Sequence, residues 1–141
     1  MLEIYNQDIF KIANSSNEAI CITTNGICKS NGDAVMGKGI AKTANDYFHL
    51  STRLGEYLRT YGNRAFDMGL FSFNNNEPYH VLTFPTKHHW KYPSDINLIK
   101  TSAEQIVQIC DKRGITKCYL PPVGCANGKL DYETVVKPVL K

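Results

Sequence analysis

The run Ala19-Ile20-Cys21-Ile22-Thr23-Thr24 does not alternate apolar with polar; it is apolar or β-branched almost throughout. A strand of that kind is covered on both faces, which asks for helices above and below a largely parallel sheet. The 141 residues, 43% hydrophobic and 21% charged, are enough for one such domain and its core without metal or disulfide staples. They are too few for a two-domain enzyme, and the composition excludes a disordered tail or a fibrous protein. No stretch approaches the roughly 18 to 20 apolar residues of a membrane helix, and MLEIYNQDIF lacks the pattern of a secretory signal. Cys21, Cys28, Cys110, Cys118 and Cys125 form no C-x-x-C pair and no zinc spacing with His. They are expected to be reduced, mostly packed thiols of a cytoplasmic protein with no metal site.

Around the buried strand, the chain reads as strands alternating with helices. Leu2–Tyr5 is a short strand. After the buried run comes a long polar segment, Asn25 to Met36, with the turn pair Asn31-Gly32. Apolar positions 40, 44, 47, 48, 54 and 58 then keep a helical spacing that closes at Gly62. Two strands, Ala65–Phe73 and Tyr79–Phe84, flank the turn NNNEP. Ser94 is placed as the cap of a helix whose apolar face, 96 to 110, stops at Gly114. Lys117–Pro121 is a short strand, Gly124–Gly128 a turn, and a last helix begins near Asp131. The order ββαββαβα predicts a three-layer α/β/α domain with a central mixed sheet.

In such sheets, ligands bind beyond the carboxyl ends of the strands. The loops in that position are 25–39, 85–94 and 122–131. The first holds Met36-Gly37-Lys38-Gly39-Ile40, where glycines let a backbone approach closely and helix-start amides favour an anion. Taken alone, it could equally be a tight turn. The third, Val123-Gly124-Cys125-Ala126-Asn127-Gly128, can present successive amides as an anion nest. Two such loops suggest a diphosphate held from both sides. Neither is a Walker loop or a complete G-x-G-x-x-G. The net charge of +3, with its surplus in the second half, suits an anionic ligand or a nucleic acid met locally. Cys125 lies where backbone amides would lower a thiol pKa, but it has no clear partner base.

The second loop runs Phe84-Pro85-Thr86-Lys87-His88-His89-Trp90-Lys91-Tyr92-Pro93. A lysine at the end of a buried strand can be desolvated, which frees its amine as a nucleophile or base. Adjacent histidines can move protons near neutral pH. The blander reading is a basic and aromatic surface patch that meets phosphates or bases.

Together, ITTN…VMGKGIAK, FPTKHHW and LPPVGCANGKLDYETV resemble the macrodomain family of ADP-ribose-binding proteins. The match is nearest to the branch with a catalytic lysine, which holds the DNA ADP-ribosyl glycohydrolase antitoxins of the DarG type and the terminal ADP-ribose protein glycohydrolases. The resemblance implies that Asp8 and Ile9 meet the adenine, and that the amides of Gly37 to Ile40 and of Val123 to Gly128 cradle the diphosphate. It implies that an asparagine orients the distal ribose and that Lys87 acts at its C1″. Strand register selects Asn25 as that asparagine, while Asn31 stands at the family's commoner spacing before Gly37. Gly128 occupies the place of the catalytic aspartate of the protein-directed enzymes, which moves the chain towards the DNA-directed ones. Gln7 replaces a usual glycine. Most macrodomains add a strand after the final helix, so a sheet lacking the C-terminal strand is expected here.

The resemblance thus implies an ADP-ribosyl glycohydrolase acting on DNA, with no cofactor and no membrane partner. Asp33, His88 or His89 would shuttle protons, and Trp90 or Tyr92 would stack on a base. Phe84, Pro85 and Thr86 join the expected binding residues. No heptad asks for a second copy, so a monomer is expected. The alternatives are a phosphatase for ADP-ribose-1″-phosphate or a deacetylase for O-acetyl-ADP-ribose, neither of which requires Lys87, and a non-catalytic reader of ADP-ribose. A nucleic-acid binder with no ADP-ribose pocket would leave QDIF and both glycine loops without a role.

Overall fold

The computed structural model describes residues 2–4 and 9–121. Five strands form one mixed sheet: β1 (Leu2–Ile4), β2 (Glu18–Thr24), β3 (Asp67–Phe71), β4 (Tyr79–Pro85) and β5 (Lys117–Leu120), in the order β1-β5-β2-β4-β3. Every pair is parallel except β3 with β4. β2 lies at the centre, which is why its sequence does not alternate. Ile20 and Ile22 go to one core with Tyr79 and Val81; Ala19 and Cys21 go to the other with Leu82 and Phe84.

The first core is closed by α1 (Gly39–Phe48) and α2 (Ser51–Tyr61), through Ala44, Phe48, Leu54 and Leu58. A 3₁₀ turn, Ile9–Lys11, adds buried Ile9 and Phe10, and the Tyr79 hydroxyl donates to the Phe10 carbonyl at 3.0 Å. The second core is closed by α3 (Ile96–Arg113), through Ile99, Ala103, Ile106 and Cys110. Helices therefore cover both faces of the sheet, as the three-layer expectation requires.

Three details differ from the sequence reading. The single helix expected over 40–58 is two. Asn45 causes the break: its Oδ1 accepts the amides of Leu50 and Ser51, at 2.8 and 2.9 Å, while His49 turns left-handed at φ 56°. The cap of α3 is Asp95, one residue past Ser94; its side chain takes the amides of Asn97 and Leu98. Ser94 is buried instead. β3 is shorter than Ala65–Phe73, and a bulge between Asp67 and Leu70 interrupts its pairing with β4. The C-cap at Gly114, with φ 69°, falls where expected.

The four described cysteines are free thiols, three of them buried. Cys21 Sγ and Cys118 Sγ are 3.1 Å apart across β2 and β5. The Cys118 thiol and burial push Cys110 upward from the usual thiol range. Against an opposing hydrogen bond with Cys110, Cys21 and burial push Cys118 up, so both are packed groups rather than nucleophiles. No described helix is long and apolar enough to cross a membrane. The last helix near Asp131 and any strand after it lie outside the described residues.

Candidate functional site

β2 and β4 end side by side, with Thr24 opposite Pro85, so the loops carrying Asn25 and Lys87 leave the sheet together. The pairing continues past the strands: the Thr86 amide donates to the Thr24 carbonyl at 3.1 Å, and the Gly26 amide to the His88 carbonyl at 3.2 Å. Asn25 and Lys87, far apart in sequence, are thus brought to one edge.

The Lys87 loop is held from several sides. Ser102 Oγ of α3 donates to the Pro85 carbonyl at 2.7 Å, and the Asp95 amide to the Thr86 carbonyl at 2.8 Å. Asn63 Nδ2 donates to the Lys87 carbonyl at 3.0 Å. Phe84, Pro85 and Thr86 are buried beneath, and Lys87 itself is half-buried. A long side chain therefore starts from a fixed backbone, which is what a reacting group needs.

His88 Nε2 lies 3.0 Å from Asp95 Oδ2, with both groups well exposed. That hydrogen bond, helped by the Asn97 and Leu98 amides, holds the Asp95 carboxyl below its ordinary value. A carboxylate whose pKa falls on folding stabilises the fold above its unfolded pKa. That contribution is lost as pH drops through the lowered folded value. Asp95→Ala should cost about 1 kcal/mol, the usual worth of an Asp cap. The difference from wild type should shrink below about pH 4 in urea melts. A penalty unchanged at pH 3 would show that the carboxylate charge contributes nothing.

Asn25 has both ends of its carboxamide engaged: Nδ2 with the Val35 carbonyl at 3.2 Å and Oδ1 with the Ile27 amide at 3.0 Å. It closes the neck of a hairpin-like excursion, with Cys28 bridging Ala34. Asn31 sits exposed at the tip, where its Oδ1 accepts the Asp33 amide at 3.0 Å. The excursion rests on α2, where the Ala34 amide donates to the Ser51 carbonyl at 2.8 Å. Asn25 adjoins Gly26, where this loop is bonded to the Lys87 loop, whereas Asn31 stands at the far tip.

Beyond the excursion, Met36 turns into the core, Gly37 and Lys38 lie exposed before α1, and Gly39 is exposed at its start. Lys38 is the extended N-cap and supplies no side-chain bond to the helix start. First-turn amides have no partner within a helix and favour an anion, and this helix starts at the exposed Gly39. Ile40 packs against the core and Ile9 is buried in it. Asp8 and the third loop, with Val123, Gly124, Cys125, Ala126, Asn127 and Gly128, lie outside the described residues.

His89 Nδ1 accepts the Lys91 amide at 3.1 Å, so the neutral ring carries its proton on Nε2. Its ring lies 5.3 Å from Trp90 and 5.1 Å from Tyr92, and Lys91 Nζ stands 5.3 Å from the Trp90 ring centre. Trp90 is 45% exposed and Tyr92 62%. This is a wet aromatic surface beside the lysine.

No family model matches the chain. It is 36% identical over 58 residues to the DNA ADP-ribosyl glycohydrolase of Mycobacterium tuberculosis, covering 41% of this chain and 16% of that protein. Against the Thermus aquaticus protein of the same name it is 27% identical over 124 residues, 84% of this chain and 32% of the relative. In structure, it matches the macrodomain of Mycobacterium tuberculosis DarG with a TM-score of 0.75 and 27% identity, over 99% of this chain and 88% of that one. The chain has the macrodomain fold, and its likeness is to the macrodomains of DarG. The same fold recurs in Thermosipho africanus DarTG in complex with ADP-ribose, with a TM-score of 0.75, 24% identity, and 99% and 37% coverage. The macrodomain spans at most about a third of these curated relatives.

Sequence reasoning missed Asn63 and Ser102, the two side chains that hold the Lys87 loop from neighbouring elements. Neither has a local signal: Asn63 reads as part of a helix stop after Gly62, and Ser102 as one small residue on a helix face. Among the described residues, no group of three or more His, Cys, Asp and Glu is arranged to hold a metal ion.

Proposed function

We propose that this macrodomain binds ADP-ribose and hydrolyses an ADP-ribosyl link on DNA, with Lys87 as the group that acts at C1″. The observation that carries the reading is the joining of the Asn25 and Lys87 loops at the carboxyl ends of β2 and β4. The segment that leads from Asn25 into the exposed start of α1 leaves the sheet at this same edge. The relatives, DNA ADP-ribosyl glycohydrolases, support the reaction class.

In this reaction the neutral Lys87 amine adds to C1″ as the bond from C1″ to the modified base breaks. The electron pair of that bond leaves on the base, which takes up a proton. Asp33, His88 or His89, each from its protonated form, could supply that proton, a contribution of about 10² to 10⁴ in rate. Water then displaces the lysine nitrogen from C1″, releasing ADP-ribose and restoring the amine. Asn25 would orient the ribose, and the amides of Gly37 to Ile40 and of Val123 to Gly128 would hold the diphosphate. Asp8 and Ile9 would meet the adenine.

A calorimetric titration with ADP-ribose, paired with an assay for clearance of ADP-ribosylated DNA, tests the whole reading. Absence of ADP-ribose binding would remove it at the root. Clearance of O-acetyl-ADP-ribose or ADP-ribose-1″-phosphate, with modified DNA untouched, would move the activity to a free metabolite.

DNA rather than protein is supported by the exposed aromatic surface beside Lys87. Base stacking on an aromatic ring is worth about 1 to 3 kcal/mol per base. Changing Trp90 and Tyr92 to Ala should therefore raise KM for an ADP-ribosylated oligonucleotide at least about ten-fold. Affinity for ADP-ribose itself should stay unchanged. Full activity of the double variant on the oligonucleotide would sink the stacking role.

A further inference from the structure

The corner where the Asn25 and Lys87 loops meet contains a side chain to which the proposed reaction gives no role. Asn63 follows Gly62, the C-cap of α2, and its Nδ2 donates to the Lys87 carbonyl at 3.0 Å. Its other side lies against Gly26: a Cβ there would stand 2.8 Å from Asn63 Cγ and 2.9 Å from Nδ2. Gly26 in turn donates its amide to the His88 carbonyl at 3.2 Å. One carboxamide thus fills the space bounded by Gly26, Lys87 and His88.

The direction of that amide is fixed, because turned over it would set its oxygen against the Lys87 carbonyl, acceptor facing acceptor. As placed, Asn63 Oδ1 is buried and has no hydrogen-bond partner among the described residues. An unpaired buried acceptor is costly, and native folds hold few of them. An apolar side chain would avoid that cost. What Asn63 supplies in exchange is its donor, aimed at the backbone of the lysine.

We propose that Asn63 is a positioning residue for Lys87: a strut that holds the lysine backbone in place against the Asn25-Gly26 segment. This rests on the reading of Lys87 as the reacting group. A misplacement of about 1 Å, from a change away from the chemistry, can cost roughly 10²-fold in rate. Gly26 belongs to the same device, since any side chain there would push the carboxamide off the Lys87 carbonyl. The first-turn amides of α1 are not part of this corner, so ADP-ribose affinity should survive its loss.

Asn63→Ala and Gly26→Ala, one removing the strut and the other displacing it, should each lower kcat by about 10- to 100-fold. KM and the calorimetric Kd for ADP-ribose should stay within about two-fold of wild type. Asn63→Asp keeps the shape but loses the donor at neutral pH, and burial beside a carbonyl raises its carboxyl pKa. Its kcat relative to wild type should therefore climb as pH falls from about 8 to about 5, where the protonated acid donates again. A merely structural role would leave that ratio flat.

The strut is overturned if Asn63→Ala turns over within about two-fold of wild type, or if turnover and ADP-ribose affinity fall together in all three variants. Lys87→Ala separates this from failure of the parent reading. If that variant is active, the lysine mechanism falls; if it is inactive while Asn63→Ala is normal, only the strut falls.

Discussion

Replacing Lys87 by alanine should abolish hydrolysis of ADP-ribosylated DNA and leave ADP-ribose binding nearly unchanged. A group that only moves a proton is worth about 10² to 10⁴ in rate. Loss of the attacking group itself should reach at least the upper end of that range, because no other described amine shares its anchored backbone. The lysine could instead pair with a phosphate as a simple cation, and Lys87→Arg decides between the two. A guanidinium remains protonated at any working pH and cannot act as a nucleophile, but it binds phosphate at least as well as an ammonium does. If arginine restores activity, the lysine is a charge and the covalent route is wrong. If both variants bind ADP-ribose by calorimetry and neither clears the DNA, the amine is the reacting group. A loss of binding in both would place Lys87 on the diphosphate.

The legible parts of this chain were those whose signal is local. The unbroken run at Ala19–Thr24 demanded cover on both faces, and the two cores supply it. FPTK pointed to the end of a buried strand, and Phe84 to Thr86 are buried there. The parts that were not legible depend on a side chain meeting a distant backbone. Asn45 breaks the expected helix because its oxygen takes two amides from the following turn, whereas the apolar spacing on either side reads continuously. Asp95 outcompetes Ser94 as a cap because the Thr86 carbonyl fixes its amide while Ser94 is buried. Strand register and spacing pointed to different asparagines, Asn25 and Asn31, because the segment between Asn25 and Val35 folds into its own excursion with Asn31 at the tip. Asn63 had no signal at all. It matters only because α2 ends where the Lys87 loop passes.

Gly55→Ala should destabilise the protein, although the same change inside an exposed helix normally gains about 1 kcal/mol. Gly55 is buried in α2 beneath the excursion that holds Asn31 and Asp33. A Cβ at Gly55 would overlap the Gly32 carbonyl oxygen and stand 2.9 Å from the Ala34 amide nitrogen and 3.0 Å from the Asp33 carbonyl carbon. All three are backbone atoms, so no rotamer relieves the clash. The excursion would have to lift, straining the bond from the Ala34 amide to the Ser51 carbonyl. Overpacking of this severity costs about 3 kcal/mol, a fall of roughly 10 °C in Tm for a domain of this size. The damage should reach ligand binding as well. The excursion's neck is Asn25 with Val35, and Gly37 to Ile40 follow directly, so ADP-ribose affinity should fall with stability. Thermal melts of wild type and Gly55→Ala, each with and without ADP-ribose, read both effects. A variant as stable as wild type would mean that the excursion does not lie on α2. Lower stability with unchanged affinity would mean that the loop carrying Asn25 is set by the Lys87 loop alone.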